Sequence, residues 1–218
     1  MSFEALRARL ASNIEASFGP FDPLLLEALR VVPRERFVRA TDRVHSAADT
    51  PLALDDSGLA TISAPHAYML SYRLLALGPG DRLVELGTGS GYGAALASFV
   101  VGARGHVTTV EIDPQLAAIA RSLLAPLTNV VNVHGDAMSS TPMWRDARKV
   151  VCTFAIDDVP HSWLEALPEG GVLVAPVSTR DVRAPNQALV RVEKTGDMIR
   201  TSEHGAMRYV RNRSPQTM

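Results

Sequence analysis

The chain has 218 residues, an apolar fraction of 46% and a mean hydropathy of +0.06, which predict one globular α/β domain and exclude a disordered chain. Its 22 Lys and Arg residues nearly balance its 23 Asp and Glu residues, so the global charge favours neither a nucleic acid nor a membrane surface as a partner. Cys152 is the only cysteine, which excludes an intrachain disulfide and is typical of a reducing compartment.

The first 64 residues predict two helices and a long loop. Apolar residues recur at helical spacing in FEALRARLASNIEASF (3–18) and DPLLLEALRVV (22–32). The first segment carries too many charges for a signal peptide, and no segment reaches the ~20 apolar residues of a membrane helix, so we expect a cytoplasmic protein. Residues 41–64 show no sustained period, and a loop of this length is predicted to be ordered and functional. We expect residues 1–64 to form a helical cap and substrate loop.

From residue 65 to the end, helices and strands alternate. The predicted helices are PHAYMLSYRLLAL (65–77), YGAALASFVV (92–101), PQLAAIARSLLAPL (114–127) and PHSWLEAL (160–167). The predicted strands are RLVELGT (82–88), HVTTVEI (106–112), VVNVHG (130–135), VVCTFA (150–155), GGVLVAPVS (170–178), ALVRVEKT (188–195) and AMRYV (206–210). This alternation predicts a doubly wound, mostly parallel α/β sheet in a domain spanning residues 65–218.

A glycine loop follows the first strand of this domain. LVELGTGSGYG places Gly87, Gly89 and Gly91 between the strand and the next helix. Glycine lets the backbone approach a ligand closely, and the helix N-terminus offers free N–H groups. The motif favours a nucleotide-like ligand, although a tight strand-to-helix turn would also explain it.

Acidic residues near this loop distinguish between nucleotide-like ligands. Glu111 ends the next strand, where a carboxylate accepts hydrogen bonds from ribose hydroxyls. Glu85 precedes the glycines, and a carboxylate there suits a cationic ligand better than a pyrophosphate. Asp136, after the third strand, has two open interpretations: a contact to an adenine amino group or a helix N-cap. The pattern predicts S-adenosyl-L-methionine, whose ammonium and sulfonium groups are positive.

Seven segments occur in the order and near the spacing of one enzyme family: ADTPL, ATISAPH, LVELGTGSGYGAALA, VTTVEID, NVVNVHGD, VVCTFAIDDVP and LPEGGVLVAPV. Over roughly residues 20–210 the chain resembles the protein-L-isoaspartate O-methyltransferases. The resemblance implies a class I S-adenosylmethionine-dependent methyltransferase fold with an N-terminal helical cap. It also implies that Ser63 lies beside the acceptor carboxylate and the methyl donor, and that His66 contacts the cofactor. From the residues alone, Thr61 and Ser63 are equally explained as caps of the helix that begins at Pro65.

The predicted site therefore has two parts. Thr61 and Ser63 are the candidate catalytic residues. The candidate cofactor-binding residues are His66, Glu85, Gly87, Thr88, Gly89, Ser90, Gly91, Glu111, Ile112, Asp136, Ala137 and Thr153. We predict no metal site, because the spacing of Cys152 and the histidines fits none.

The sequence departs from the family pattern on the acceptor side. LALDDSG (52–58) replaces a stretch with Pro-Ile-Gly, Ala137 replaces a glycine, Phe154 and Ala155 replace two alanines, Ser178 replaces a glycine, and Arg211 and Asn212 replace Pro-Leu. The cofactor side keeps the family pattern, so the resemblance bears most directly on fold and cofactor.

A carboxylate acceptor, with a reference pKa near ~4, is already a nucleophile at neutral pH and needs no general base. This suits a site with hydroxyls and no evident His–Asp pair. We expect an S-adenosylmethionine-dependent O-methyltransferase that forms a methyl ester on a small-molecule or peptide carboxylate. One alternative is a relative that methylates a carboxylate or hydroxyl of a biosynthetic intermediate or modified peptide in natural-product biosynthesis. The other is a non-catalytic cofactor-binding accessory protein. No oligomeric state is predicted.

Overall fold

The computed structural model describes residues 1–144, 146–179 and 187–212, and it begins with the two predicted helices. The first, α1, spans Phe3–Phe18, and the second, α2, spans Pro23–Val31. Ser2 Oγ accepts the Ala5 N–H at 3.3 Å, and Asp22 Oδ1 accepts the Leu24 N–H at 2.8 Å. Each helix thus begins at a side-chain cap, which satisfies one of the N–H groups that lack an intrahelical partner.

The stretch between these helices and the main domain has defined structure, as predicted. Two short 3₁₀ helices, Arg34–Arg36 and Ala40–His45, are followed by a two-stranded antiparallel hairpin. Its strands are β1, Leu52–Ala53, and β2, Thr61–Ile62. The hairpin carries Thr61 toward the carboxyl edge of the main sheet.

In the part of the chain that the structure describes, the main sheet has seven strands: β3 (Arg82–Leu86), β4 (His106–Glu111), β5 (Val130–His134), β6 (Lys149–Cys152), β7 (Val172–Ser178), β8 (Gln187–Thr195) and β9 (Met198–Ala206). Their order is β5-β4-β3-β6-β7-β8-β9; β3 to β7 are parallel, and β8 and β9 are antiparallel to their neighbours. The flanking helices are α3 (Pro65–Leu75), α4 (Tyr92–Val101), α5 (Pro114–Leu124) and α6 (His161–Ala166). The mostly parallel α/β fold is therefore confirmed.

The strand order creates a crevice. From β3 the chain builds outward through β4 and β5, then returns to add β6 on the other side of β3. The loops that leave β3 and β4 therefore diverge from those that leave β6 and β7. In open α/β sheets, ligands bind at the carboxyl ends of the strands at such a switch point.

Alternation along the strands fills the two faces of the sheet with separate apolar clusters. Leu83 and Val107 belong to a cluster that also contains Leu10, Leu29 and Leu96, so α1 and α2 share a core with α4 and the sheet. On the opposite face, a second cluster is built around Trp144, Trp163, Val84, Val110 and Val150. The division of the chain at residue 64 into cap and catalytic domain stays a prediction.

One predicted strand is wrong. AMRYV (206–210) was expected to pair, whereas the last strand is β9, Met198–Ala206, and every residue in it is exposed. An edge strand with no buried face needs no apolar alternation, so periodicity gave no signal for it. Within the described residues, no helix combines the length and the apolar character required to cross a bilayer.

Candidate active site

A first cavity opens at the carboxyl ends of β3, β4, β5 and β6, at the switch point of the sheet. It encloses about 720 Å³ of atom-free space, its open mouth included. Among the residues that line it are most of the predicted site residues: Thr61, Ser63, Gly87, Thr88, Gly89, Ser90, Glu111, Ile112, Asp136, Ala137 and Thr153. Residues that are distant in sequence are thus brought together around one space.

The glycine loop needs its glycines for two different reasons. Gly87, Gly89 and Gly91 all have φ between +55° and +95°, a region that side chains disfavour. A Cβ at Gly87 would collide with Thr153 Oγ1 and approach Phe154 to 2.9 Å. Thr153 Oγ1 in turn donates to the Gly87 carbonyl. The loop backbone is therefore packed tightly against the end of β6.

The next residues of the loop offer polar atoms at the cavity wall. Thr88 Oγ1 lies 2.7 Å from Thr109 Oγ1 and is held by it. Ser90 is 3% exposed, and its Oγ has no hydrogen-bond partner within the described residues. Because leaving a buried hydroxyl unpaired is unfavourable, Ser90 fits a site that is completed by a polar ligand.

Glu111 lies at the cavity wall with both carboxylate oxygens held by backbone N–H groups. Oε2 accepts from Gly89 at 2.7 Å and Oε1 accepts from Asp113 at 3.0 Å. Burial raises the pKa of Glu111 despite these hydrogen bonds. Each oxygen keeps a second lone pair, so the carboxylate can still accept hydrogen bonds from ligand hydroxyls.

Asp136 combines the two roles that the sequence left open. Its Oδ1 accepts the Met138 N–H at 2.9 Å and caps the 3₁₀ helix Ala137–Ser139. The residue also lines the first cavity. The cap is therefore present, and the contact to an adenine amino group stays a prediction.

Glu85 does not line the cavity. It is 1% exposed, and its side chain extends from β3 to the first turn of α4, where a Cβ on Gly93 would collide with its carboxylate. Thr109 donates a hydrogen bond to Glu85 Oε2 at 2.6 Å, and Thr109 also contacts Thr88. Burial raises the pKa of Glu85 to about 8. Any effect of Glu85 on a ligand therefore passes through this buried hydrogen-bond chain or through its charge.

The raised pKa of Glu85 gives the free energy of unfolding a defined pH dependence. Between the unfolded value of 4.5 and about 8 the folded state keeps a proton that the unfolded state has lost, so this group's contribution to stability falls by about 1.4 kcal/mol per pH unit. We expect Glu85→Gln to gain stability relative to the wild type as the pH rises from 5 to 8, measured by urea unfolding at each pH. The exposed Glu203→Gln is the control, and parallel curves for wild type and Glu85→Gln would contradict this placement.

Two further predicted cofactor residues also lie outside the first cavity. Gly91 is the N-cap of α4, and a Cβ there would press on Leu124 at 3.0 Å, so its visible role is packing. His66 lines a second cavity instead. Its ring stacks on Phe18, with centroids 4.6 Å apart, and its Nδ1 lies 3.0 Å from both carboxylate oxygens of Asp49. The expectation that the site has no His–Asp pair is therefore wrong.

Asp49, and not Thr61 or Ser63, caps the helix after the hydroxyl loop. The N-cap position of α3 is Ala64, which offers no side-chain hydrogen bond, whereas Asp49 Oδ1 accepts the His66 N–H at 3.0 Å. Burial opposes ionisation of Asp49, but the hydrogen bonds and charge of His66, together with the charge of Arg34, lower its pKa. A cap from the loop before the hairpin leaves both hydroxyl residues available to the cavities.

Ser63 is held in place through its backbone. Its N–H donates to Tyr68 Oη at 3.3 Å, and its carbonyl accepts from Arg34 Nη2 at 3.2 Å. Burial raises the pKa of Tyr68 to about 12, so its phenol stays neutral at the first cavity. Ser63 therefore sits on a fixed backbone between a neutral phenol and a buried guanidinium.

The second cavity adjoins the first and shares four residues with it: Thr61, Ser63, Val210 and Arg211. It encloses about 1770 Å³ of atom-free space, its open mouth included. His66, Gln187 and the segment from Ala206 to Tyr209 form most of its remaining wall. Thr61 and Ser63 thus lie where the two cavities meet.

Sequence reasoning missed three residues that shape the site: Asp49, Tyr68 and Arg34. Asp49 is 17 residues from His66, and Arg34 is 29 residues from Ser63, so no local pattern shows either contact. Tyr68 lies in the apolar run of α3, where the sequence pattern indicates core packing and gives no sign of the polar role of its hydroxyl.

The mostly parallel sheet with a crevice at the ends of β3 and β4 is the fold of the class I S-adenosylmethionine-dependent methyltransferases. A solved structure of a protein-L-isoaspartate O-methyltransferase superposes with a TM-score of 0.84 and 26% identity over 95% of this chain and 66% of that one. A Plasmodium falciparum chain described under the same name, solved in complex with S-adenosyl-L-homocysteine, gives a TM-score of 0.79 at 18% identity over 94% of this chain and 97% of that one. At that identity the likeness bears on the fold alone.

The family model for "Protein-L-isoaspartate(D-aspartate) O-methyltransferase (PCMT)" matches residues 19–216, and the chain belongs to this family. Protein-L-isoaspartate O-methyltransferase 1 of Archaeoglobus fulgidus is 35% identical over 96% of this chain and 94% of its own length. The protein-L-isoaspartate O-methyltransferase of Methanococcus aeolicus is 36% identical over the same shares. The resemblance seen in the sequence is confirmed.

Proposed function

We propose that this protein transfers the methyl group of S-adenosyl-L-methionine to the free α-carboxylate of an isoaspartyl residue in a peptide or protein, forming a methyl ester. The relatives that cover nearly the whole chain carry the name of that activity. The observation that carries the proposal is the position of Thr61 and Ser63 at the junction of the two cavities. A donor in the first cavity and an acceptor in the second would meet at these hydroxyls.

The residues of the first cavity fit the cofactor. Glu111 offers a carboxylate for ribose hydroxyls, Asp136 keeps one oxygen free of its capping bond, and Ser90 has an unpaired buried hydroxyl. The carboxylates of Glu111 and Asp136 in the cavity wall suit a ligand with positive charges. S-adenosylmethionine supplies an electrophilic methyl group on a sulfonium when it is bound.

The acceptor side needs orientation more than proton transfer. A carboxylate is deprotonated at neutral pH, so one of its oxygens attacks the methyl carbon directly while the bond from that carbon to sulfur breaks. Ser63 and Thr61 would hold the carboxylate in line, and Tyr68 and Arg34 would hold Ser63. Fixing two reactants in line replaces an encounter in solution and lowers the barrier substantially.

The His66–Asp49 pair supports a second candidate function. An imidazole held by a carboxylate at the wall of the second cavity is the arrangement of a general base. A hydroxyl acceptor, which is protonated at neutral pH, would need such a base. Asp49 already caps α3, so the pair is equally explained by the fold, and the carboxylate acceptor requires no further role for it.

Isomeric peptides test the proposed function. A donor with a tritiated methyl group is incubated with the protein and either an isoaspartyl peptide or the aspartyl peptide of the same sequence. We expect label only on the isoaspartyl peptide, and mild alkali should release it as methanol. An alkali-stable product would favour the hydroxyl acceptor and His66 as base. Cofactor binding without transfer to any acceptor would favour the accessory role.

Gly89 provides a test of the cofactor site. A Cβ there would lie 3.2 Å from Leu54 Cδ1, in a residue whose φ is +55°. We expect Gly89→Val to weaken binding of S-adenosylmethionine by about 100-fold or more, or roughly 2.7 kcal/mol, by blocking close approach of the loop to the ligand. Calorimetric titration measures it. Gly102→Val is the control, because Gly102 has φ +66° and no atom within 4 Å of its Cβ position. Equal affinities in the two variants would place the cofactor elsewhere.

A further inference from the structure

Opposite charges line the two cavities. The charged residues in the wall of the first cavity are Glu111, Asp136 and Arg211. The second cavity has Arg208 and Arg211 in its wall, together with His66, and no described carboxylate lines it. A cationic donor and an anionic acceptor would each meet a wall of the opposite sign.

The backbone that carries the two arginines is fixed on both sides. Tyr209 exchanges two hydrogen bonds with the Gln187 side chain, at 2.6 and 3.0 Å. Ala155 donates to the Val210 carbonyl at 2.7 Å and accepts from the Asn212 N–H at 3.0 Å. The segment therefore presents its side chains to the cavity from a defined position.

Both guanidinium groups are available to a ligand. Arg208 is exposed and forms no ion pair with any residue that the structure describes. Arg211 lies 4.0 Å from Asp157, with 77% and 88% of the two side chains exposed, a pair that contributes little. The carboxylate of Asp49, which could compete for the arginines, is already paired with His66.

The second cavity holds one more cation than the reacting group requires. Arg211, like Ser63, lines both cavities, where the reacting carboxylate would bind, whereas Arg208 lines the second cavity only. The second cavity is open at its mouth, and the consecutive residues from Ala206 to Arg211 line it. Such a groove fits an extended peptide on either side of the methylated residue.

We propose that Arg208 binds an acidic side chain next to the methylated residue, so that the enzyme prefers isoaspartyl peptides with an acidic neighbour. This inference rests on the proposed function and names the peptide class that the same site takes. An exposed charge pair at the rim of a site is modest in strength and is screened by salt. We therefore expect a preference of roughly 3- to 10-fold in kcat/KM at low ionic strength, shrinking as salt is added.

The test uses isoaspartyl peptides that differ at one position, with Asp, Asn or Lys placed immediately before or after the isoaspartyl residue. We expect kcat/KM to fall in the order Asp, Asn, Lys at one of the two positions. In Arg208→Gln, the ratio of kcat/KM for the Asp peptide to kcat/KM for the Asn peptide should fall to about 1 at that position. In the wild type, 0.5 M NaCl should lower this ratio to about 1 as well. Arg200→Gln, which removes an exposed charge from β9 outside the cavity wall, should keep the ratio.

The outcomes separate this inference from the proposed function. Equal kcat/KM for all neighbours, a preference for Lys, or an unchanged ratio in Arg208→Gln would overturn the role of Arg208 while leaving isoaspartyl methylation in place. Absence of methylation on every isoaspartyl peptide would overturn the proposed function itself and this inference with it.

Discussion

Arg34→Met should lower the free energy of unfolding by about 3 to 5 kcal/mol, because it removes the buried guanidinium that donates to four backbone carbonyls. Arg34 is 0% exposed. Its two terminal nitrogens donate to four carbonyls at 2.8 to 3.2 Å, those of Ser46, Ala48, Thr50 and Ser63. Burial lowers the pKa of the guanidinium, so the cost of its desolvation offsets part of the stabilisation that these hydrogen bonds provide. The guanidinium joins the loop of Asp49 to the backbone of Ser63.

Chemical denaturation measures the loss, and Arg36→Met is the matched control. Arg36 lies in the same 3₁₀ helix with its side chain exposed, so its replacement should change stability by no more than about 0.5 kcal/mol. Any Arg34→Met protein that remains folded should also lose turnover, because Ser63 loses one of its two anchors. A loss of stability below about 1 kcal/mol would contradict this role of Arg34, since one ordinary hydrogen bond contributes that much.

Ser63→Ala should reduce the rate of methyl transfer by about 10- to 1000-fold and leave cofactor affinity nearly unchanged, as for a lost positioning hydrogen bond. Ser63 lines both cavities, whereas the cofactor anchors proposed above, Glu111 and Asp136, lie at other strand ends. Since Asp49 supplies the acceptor at the start of α3, the variant should not show the loss of a helix cap.

Single-turnover methylation and thermal unfolding on the same sample separate these effects. Ser2→Ala is the control, because Ser2 caps α1 and lines neither cavity. It should lose about 1 kcal/mol of stability and keep normal turnover. The same behaviour in Ser63→Ala would reduce the hydroxyl loop to a structural element.

The elements with a strong repeating pattern were predictable from the sequence. YGAALASFVV lies between a glycine N-cap and a glycine C-cap, and α4 spans those same residues, Tyr92–Val101. The parallel strands are apolar because both of their faces are covered. The carboxyl ends of these strands were predicted less closely: β3 ends at Leu86 and not at Thr88, and β6 ends at Cys152 and not at Ala155. Even so, residues at or just after these ends line one cavity: Gly87, Glu111, Asp136 and Thr153.

Contacts between distant segments could not be predicted in this way. The carboxylate of Glu85 occupies the space that a side chain at position 93 would fill, and it fits there because residue 93 is a glycine. A glycine in a helical sequence pattern does not indicate which side chain packs against it. Asp49 lies close to His66 because the chain between them forms the hairpin. A single sequence shows that His and Asp are present and gives no measure of their distance.

The central claim is that methyl transfer takes place where the two cavities meet, at Ser63 and Thr61. A crystal structure of the protein with S-adenosyl-L-homocysteine and an isoaspartyl peptide tests it most directly. The account predicts the sulfur in the first cavity, the peptide in the second, and a free α-carboxylate within about 3.2 Å of Ser63 Oγ, the outer distance of a good hydrogen bond. A carboxylate bound away from Ser63, or a sulfur turned away from the junction, would contradict it.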